Sequence, residues 1–262
     1  MLTVLAGRSA DGQRAAQSHT AAAASPLVTR AALFGQAGVV VTANLGELTG
    51  VAALMSCQPY PAGNRVAVVT SAGGAGVLAA GACGDSGLLL AALSEPARRR
   101  LAELLPGGAT IANPVDTTAA VSQDIFRACL EAVAADDNVD AVIGVAAPTA
   151  LADLGQAMSA AEPAKPFCAA LLDQEANVRL LTTGATAPAN GEPAGAVPCY
   201  AYPEGAARAL GHAARYGIWR GRPQGQIPEL PGVRRFRRSP PCWSAASRKR
   251  SRRPRQSADP SC

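Results

Sequence analysis

The sequence predicts a doubly wound α/β domain with a parallel sheet over residues 65–222. A partial second α/β domain precedes it, and a disordered basic tail follows. Short apolar runs alternate with segments of helical period along most of the chain. The composition is 48% hydrophobic but only 4% aromatic, which is typical of helices packed closely on a sheet through small side chains. After Gly232-Val233 the hydrophobic period stops, and arginine, serine and proline dominate.

The first 58 residues predict too few strands for a complete sheet. Strands are predicted at 2–6 (LTVLA) and 38–42 (GVVVT), helices near 27–37 and over 45–57, and His19 is placed at a helix start. Two strands are fewer than an independent sheet usually has. We therefore expect residues 1–58 to be the end of a domain whose beginning is missing, with exposed strand edges and looser packing than 65–222.

Residues 59–64, which contain two prolines and a glycine, predict a linker before the larger domain. RVAVVTS at 65–71 then predicts a buried parallel strand, followed by a glycine-rich turn and a helix over about 77–83. A short strand is predicted to end at the Asn-Pro corner 113–114. Further strands are predicted at 139–147, 166–172 and 196–202, and helices at 95–105, 122–135, near 151–160 and at 203–220.

The net charge of +5 is unevenly distributed. Residues 234–262 hold ten of the 24 Lys and Arg and one of the 19 acidic residues, which leaves residues 1–233 with a net charge of −4. An acidic body argues against a nucleic-acid partner for the folded part. Segment 223–262 is interpreted as a linker and tail, and three origins stay open for the tail: out-of-frame translation, a solvated tail, or a basic arm that contacts phosphates.

The seven cysteines stand singly, without the spacing of a zinc site, and are predicted to be small buried residues of a reducing cytoplasm. No metal site is predicted. No secretory signal or membrane span is predicted either, so the expected location is the cytoplasm.

The glycine-rich turn AGGAG at 72–76 is the first candidate site. A strand that runs through glycines into a helix leaves backbone N–H groups free at the helix N-terminus, where an anion is favoured. Gly73, Gly74 and Gly76 would let a phosphate approach the backbone. The alternative is a tight turn that needs glycine only for its conformation.

The stretch ATIANPVDTTA at 109–119 is the second candidate. Asn113 and Asp116 are interpreted as a possible ligand loop at the carboxyl end of a strand. The alternative, which spacing alone favours, is that Asp116 with Thr117 and Thr118 caps the next helix.

His19 is the third candidate, because a neutral imidazole is a nucleophile near physiological pH. No carboxylate lies nearby in sequence to orient its ring. Chemistry alone favours a structural or solvated histidine, and His212, inside a predicted helix, is assigned no chemical role.

Three stretches together resemble the NDP-forming (ADP-forming) acyl-CoA synthetases, relatives of succinyl-CoA synthetase. They are GRSADGQRAAQSHT (7–20), NRVAVVTSAGGAGVLAA (64–80) and NPVDTT (113–118), and the helix in 202–223 is similar to the one that closes the same domain. The resemblance covers about residues 2–233. It implies flavodoxin-like CoA-ligase domains and the reaction acyl-CoA + Pi + ADP ⇌ acid + CoA + ATP.

The resemblance also implies roles for the candidate residues. SHTAAAAS at 18–25 is similar to the family's phosphohistidine motif, which places the phosphoryl carrier at His19. The turn at Gly73, Gly74 and Gly76 resembles one of two helix N-termini that hold the phosphohistidine. The family uses CoA, ADP or ATP, and Mg²⁺. We expect this chain to bind none of them alone and to need a CoA-binding Rossmann domain and an ATP-grasp domain, in cis or in trans.

Several positions depart from the family pattern. Ala21 and Ser25 stand where glycine is usual, and Leu5 stands where lysine is frequent. A similar alanine-rich version occurs in proteins that fuse this module to a GNAT acetyltransferase. Two functions therefore stay open: a fragment or subunit of an acyl-CoA synthetase that is inactive alone, and a non-catalytic regulatory or binding module.

Overall fold

The computed structural model describes residues 1–19, 26–182 and 196–223, without the side chains of residues 16–19. Met1–Arg222 form one compact unit. The predicted basic tail lies outside the described residues, so its order stays a prediction. The predicted boundary between residues 1–58 and 65–222 falls within this compact unit.

Residues 1–58 contribute a two-stranded parallel sheet and the helices beside it. The elements are β1 (Leu2–Val4), α1 (Ala10–His19), α2 (Leu27–Gln36), β2 (Val40–Thr42) and α3 (Leu45–Cys57). The prediction of His19 at a helix start is wrong, because α1 begins after Ser9, whose Oγ accepts a hydrogen bond from the Gly12 N–H (3.1 Å). His19 is therefore the last residue of α1.

The rest of the compact unit is a seven-stranded sheet with helices on both faces. Its elements are β3 (Arg65–Thr70), α4 (Gly73–Asp85), β4 (Leu89–Leu90), α5 (Glu95–Leu104), β5 (Val115–Asp116), α6 (Gln123–Ala134), β6 (Ala141–Ala146), α7 (Leu154–Ser159), β7 (Phe167–Leu171), β8 (Val178–Leu181), β9 (Val197–Tyr200) and α8 (Pro203–Arg220). The strand order is β4-β3-β6-β7-β9-β8, and β5 pairs with the end of β3. Among the described strands only β8 pairs antiparallel, so the predicted doubly wound parallel sheet is confirmed.

The continuous apolar sequence of β3 follows from its position between two cores. Val66 and Val68 belong to the core under α3, α4 and α8, whereas Ala67 and Val69 belong to the core under α5, α6 and α7. A strand covered on both faces has no polar side to alternate with. β3 is therefore buried on both faces of the sheet, and its carboxyl end opens where the candidate turn begins.

Residues 1–58 are attached to this domain through α3. Val51 and Leu54 of α3 are buried, and the Tyr200 hydroxyl donates a buried hydrogen bond to the Gly50 carbonyl (2.7 Å). By contrast, α2 has no buried residue. The expectation of loose packing therefore fits α2 but not α3.

Apart from α1, the observed elements differ from the predicted ones in four places. The short β4 lies within the apolar run LLLAAL at 88–93, which the sequence analysis left unassigned. The antiparallel β8 has two exposed residues at its centre and no strong apolar run, so the sequence did not indicate it. Helix α4 begins at Gly73 rather than near Val77. The sequence did not indicate this earlier start because glycines, which have a low helix propensity, form the first turn. The strand predicted before the Asn-Pro corner is reduced to a single bridge at Thr110, and β5 follows the corner instead.

Candidate functional site

The turn between β3 and α4 is held by hydroxyl side chains that sequence reasoning did not single out. The Thr70 Oγ1 accepts a hydrogen bond from the Ala72 N–H (3.0 Å) and donates one to the Ala72 carbonyl (2.9 Å). Ser71 joins the turn to β6, since its N–H donates to the Val145 carbonyl (3.1 Å). In the sequence, this turn could have been recognised from Thr70 and Ser71, two hydroxyl residues that directly follow the apolar run Val66–Val69.

The N-terminus of α4 is exposed and has no side-chain cap. Ala72 occupies the N-cap position, where it offers no acceptor, and the first turn contains no acidic residue. Gly73 and Gly74 are exposed, and a Cβ at Gly74 would meet nothing within 4 Å. The first N–H groups of a helix have no intrahelical acceptor. This end of α4 can therefore accept an anion from solvent.

Gly76 has a different role from the other two glycines. It is buried, and a Cβ at this position would lie 2.8 Å from the Thr70 Cγ2. Glycine is therefore required here so that α4 packs closely on β3. The structure places Gly73 and Gly74, but not Gly76, on the exposed helix end.

Asn113 is committed to the fold. Its Oδ1 accepts from the Val68 N–H (2.9 Å), and its Nδ2 donates to the carbonyls of Val66 (2.8 Å) and Ala91 (3.0 Å). The Asn113 side chain thus bonds to β3 in the stretch between the residues that pair with β4 and those that pair with β5. Both amide hydrogens are used, so these contacts give Asn113 a structural role, and its possible ligand role stays a prediction.

Asp116 lies beside the α4 N-terminus. Its Oδ1 accepts from the Thr118 N–H (2.9 Å), and its Oδ2 would be 2.7 Å from a Cβ built on Gly73. The prediction that residues 116–118 cap the next helix is wrong, because Ser122 caps α6 by accepting from the Ile125 N–H (3.3 Å). A possible ligand role for Asp116 stays a prediction.

A cleft of about 460 Å³ opens next to this turn, at the carboxyl ends of β6 and β7. The cleft is lined mainly by residues 147–155. The Ala147 N–H donates a hydrogen bond to the Ser71 Oγ (3.3 Å), which connects the cleft to the turn. Adjacent strands β3 and β6 start crossovers to opposite faces of the sheet, so the turn and the cleft share the topological switch point where ligands of such sheets usually bind.

The His19 side chain and residues 20–25 lie outside the described residues. The position of His19 relative to Gly73 and Gly74 is accordingly left to experiment, and the phosphoryl-carrier role of His19 stays a prediction. The departures at Ala21 and Ser25 fall in the same segment.

His212 has a structural partner that the sequence did not indicate. Its Nε2 lies 2.5 Å from the Glu47 Oε1, and both side chains are nearly buried. Burial lowers the pKa of His212, and the neighbouring Arg215 lowers it further, against the opposing effect of Glu47. Burial alone would raise the pKa of Glu47, but hydrogen bonds from His212 and the Ala43 N–H outweigh burial and lower it. The pair joins α3 to α8.

The five cysteines of the described ranges are unpaired and buried, as predicted; Cys242 and Cys262 lie outside those ranges. Burial raises the pKa of Cys57 and Cys129 to about 11 and that of Cys83 to about 12, so these thiols are unreactive. Within the described ranges, no group of three His, Cys, Asp or Glu residues is arranged to hold a metal ion. None of the described helices is long and apolar enough to cross a membrane.

The core order β4-β3-β6-β7-β9 is that of a flavodoxin-like α/β domain, here with an uncapped, glycine-rich helix N-terminus at its switch point. Two family models match the chain. The succinyl-CoA ligase like flavodoxin domain matches residues 1–55, and the Ligase-CoA domain matches residues 66–173.

Similar proteins agree with these two models. The alpha subunit of an ADP-forming acetate–CoA ligase II from Pyrococcus furiosus is 38% identical over 145 residues, 55% of this chain and 32% of that protein. An ADP-forming 4-hydroxybutyrate–CoA ligase from Nitrosopumilus maritimus is 29% identical over 222 residues, 84% of this chain and 31% of that protein. This chain thus spans about a third of the length of these relatives.

A solved structure has the same fold. The dinucleotide-forming acetyl-coenzyme A synthetase 1 of Ca. Korarchaeum cryptofilum, in complex with phosphate and ADP, superposes with a TM-score of 0.69 at 25% identity, covering 84% of this chain and 47% of that one. The chain thus carries the two CoA-ligase domains that these models describe, and its relatives are named ADP-forming acyl-CoA ligases or synthetases.

Proposed function

We propose that this chain is part of an NDP-forming acyl-CoA synthetase, in which His19 carries a phosphoryl group and the exposed N-terminus of α4 holds it. In the proposed step an imidazole nitrogen of His19 attacks the phosphorus of an acyl phosphate. The bond from phosphorus to the acyl oxygen breaks, and the carboxylate leaves. The phosphoryl group then passes to a nucleoside diphosphate, and the imidazole is restored.

The observation that carries the proposal is the free N-terminus of α4 at the switch point. Gly73 and Gly74 leave their N–H groups open to solvent, and no side chain of the turn caps them. Oriented N–H groups and the helix dipole favour a phosphoryl group without needing a cation. The Korarchaeum structure is a complex with phosphate and ADP, which supports a phosphate chemistry for this fold.

The described residues do not fit a nucleotide–Mg²⁺ site, because they contain no suitable cluster of metal ligands. We therefore assign no step on these residues to a metal. CoA, the nucleotide and Mg²⁺ are proposed to bind to a Rossmann domain and an ATP-grasp domain supplied by the same or another polypeptide. The alpha-subunit name of the Pyrococcus relative supports such a division of labour.

A non-catalytic module is the second candidate, and Leu5 is the observation that favours it. Where the family frequently has lysine, Leu5 is buried with 8% exposure and provides no charge. Under this candidate the α4 turn keeps its shape but carries no phosphoryl transfer.

Inorganic phosphate titrated into the ¹⁵N-labelled full chain tests the proposed cradle. We expect the amide signals of Gly73 and Gly74 to shift in a saturable manner, while those of Gly81 and Gly84, in the same helix, stay in place. Equal small shifts at all four glycines would contradict the cradle.

A further inference from the structure

A groove separate from the α4 turn lies where residues 1–58 meet α8. Its volume is about 490 Å³. One wall is formed by Ala31 and Gly35 of α2 and by Val39–Val41 around β2, and the other by α8 with Tyr216 and Trp219. We call it the α2–α8 groove. It is far larger than a packing defect and is within the usual range of small-molecule sites.

The groove exists because the two facing helices carry side chains of unequal size. On α2 the facing residues are small, and a Cβ at Gly35 would meet nothing within 4 Å. On α8 the Trp219 ring stacks on Tyr216 with centroids 5.8 Å apart. Trp219 is also fixed against Gly38, where any side chain would collide with the indole ring. The aromatic wall is thus rigid, and the α2 wall leaves space.

The charged side chains that line the groove are cationic, and the Glu47 carboxylate behind the lining residue His212 is paired with that histidine. The described lining contains Arg215 and Arg222 and no carboxylate. Arg215 is partly engaged, since its Nη1 donates to the Ser86 carbonyl (2.9 Å). No hydrogen bond or ion pair of the Arg222 guanidinium is found among the described residues, so its charge is available at the end of the groove.

We propose that the α2–α8 groove binds a small aromatic anion, with its ring between Gly35 and Trp219 and its anionic group at Arg222. A flat apolar body fits a slot walled by an indole on one side and by Ala31 and Gly35 on the other. An anion fits because a guanidinium pairs with carboxylate or sulfonate through charge-assisted hydrogen bonds. The chain's own residues 234–262 do not match this lining, because they carry ten Lys and Arg and one acid. The inference is independent of the proposed phosphoryl transfer.

The test uses the intrinsic fluorescence of Trp219. Trp243→Phe leaves Trp219 as the only tryptophan of the full chain. The probe is 8-anilinonaphthalene-1-sulfonate, an aromatic anion, and N-phenyl-1-naphthylamine is its uncharged counterpart. We expect saturable quenching of Trp219 by the sulfonate, with about tenfold weaker binding of the uncharged amine, because only the sulfonate pairs with the guanidinium.

Two pairs of matched variants locate the probe. Gly35→Leu fills the groove and should weaken binding at least about tenfold, whereas Gly84→Leu, at an open position of α4, should not. Arg222→Glu should abolish the preference for the sulfonate, whereas Arg220→Glu, two residues away, should keep it. Ala31→Leu is a second filling variant if Gly35→Leu folds poorly.

Unchanged quenching in both filling variants would overturn the proposal, because the probe would then lie elsewhere. Equal affinities of the two probes for the parent chain would overturn the assigned role of Arg222.

Discussion

Replacing Asn113 by alanine should destabilise the chain by about 2–4 kcal/mol. The substitution removes three hydrogen bonds of 2.8–3.0 Å, each worth about 1 kcal/mol net in proteins. It also removes the Asn113 partner of the Val68 N–H and of the Ala91 carbonyl, whereas the Val66 carbonyl keeps its hydrogen bond from the Ala91 N–H (2.9 Å). These three residues are at most 4% exposed, so water compensates poorly.

Urea unfolding of the full chain, followed by circular dichroism, measures this loss. Asn64→Ala is the control, since its Nδ2 makes one exposed hydrogen bond to the Gly87 carbonyl (3.0 Å) and should cost less than about 1 kcal/mol. The structural role of Asn113 would be refuted if both variants lost the same stability. A ligand role would instead be indicated if Asn113→Ala kept its stability and lost phosphate binding.

Three further predictions concern packing and charge. Tyr200→Phe removes a hydroxyl that donates to a buried carbonyl of α3, so it should cost about 1–2 kcal/mol in urea unfolding, whereas Tyr202→Phe, 65% exposed, should cost almost nothing. Gly76→Ala forces a Cβ against β3 and should cost about 1–3 kcal/mol, whereas Gly74→Ala should be neutral or stabilising; comparable losses would contradict the close packing of α4. Because the folded state lowers the pKa of His212 below its ordinary value of 6.5, the folded chain binds fewer protons and loses stability as pH falls through 6.5. Unfolding free energies at about pH 7.5 and 5.5 should therefore differ less in His212→Gln than in the parent, and an equal difference would contradict the assignment.

Helices with local start signals were predictable from the sequence. The bounds predicted for α3 and α8 match the structure. Asn44 accepts from the Glu47 N–H (2.8 Å), and the Glu47 carboxylate reaches back to the Ala43 N–H (2.8 Å), which is a capping pattern visible in sequence. Pro203 at the start of α8 is another such signal.

The roles that depend on distant partners were not predictable. The hydrogen-bond partners of Asn113 are separated from it by 22, 45 and 47 positions in the sequence. His212 and its partner Glu47 are separated by 165 positions. The turn at Gly73 and Gly74 was recognised because strand, glycines and helix are consecutive in sequence. The packing role of Gly76 and the position of Asp116 beside Gly73 depend on which strand pairs with β3, and residue spacing does not reveal that pairing.

Transfer of a labelled phosphoryl group to His19 tests the central claim most directly. The full chain would be mixed with a separately produced CoA-binding domain and ATP-grasp partner of the family, radiolabelled ATP and Mg²⁺. We expect an acid-labile, alkali-stable label on this chain that disappears in His19→Ala and remains in His212→Gln. No label on a folded chain with active partners, or a label that survives in His19→Ala, would contradict the claim.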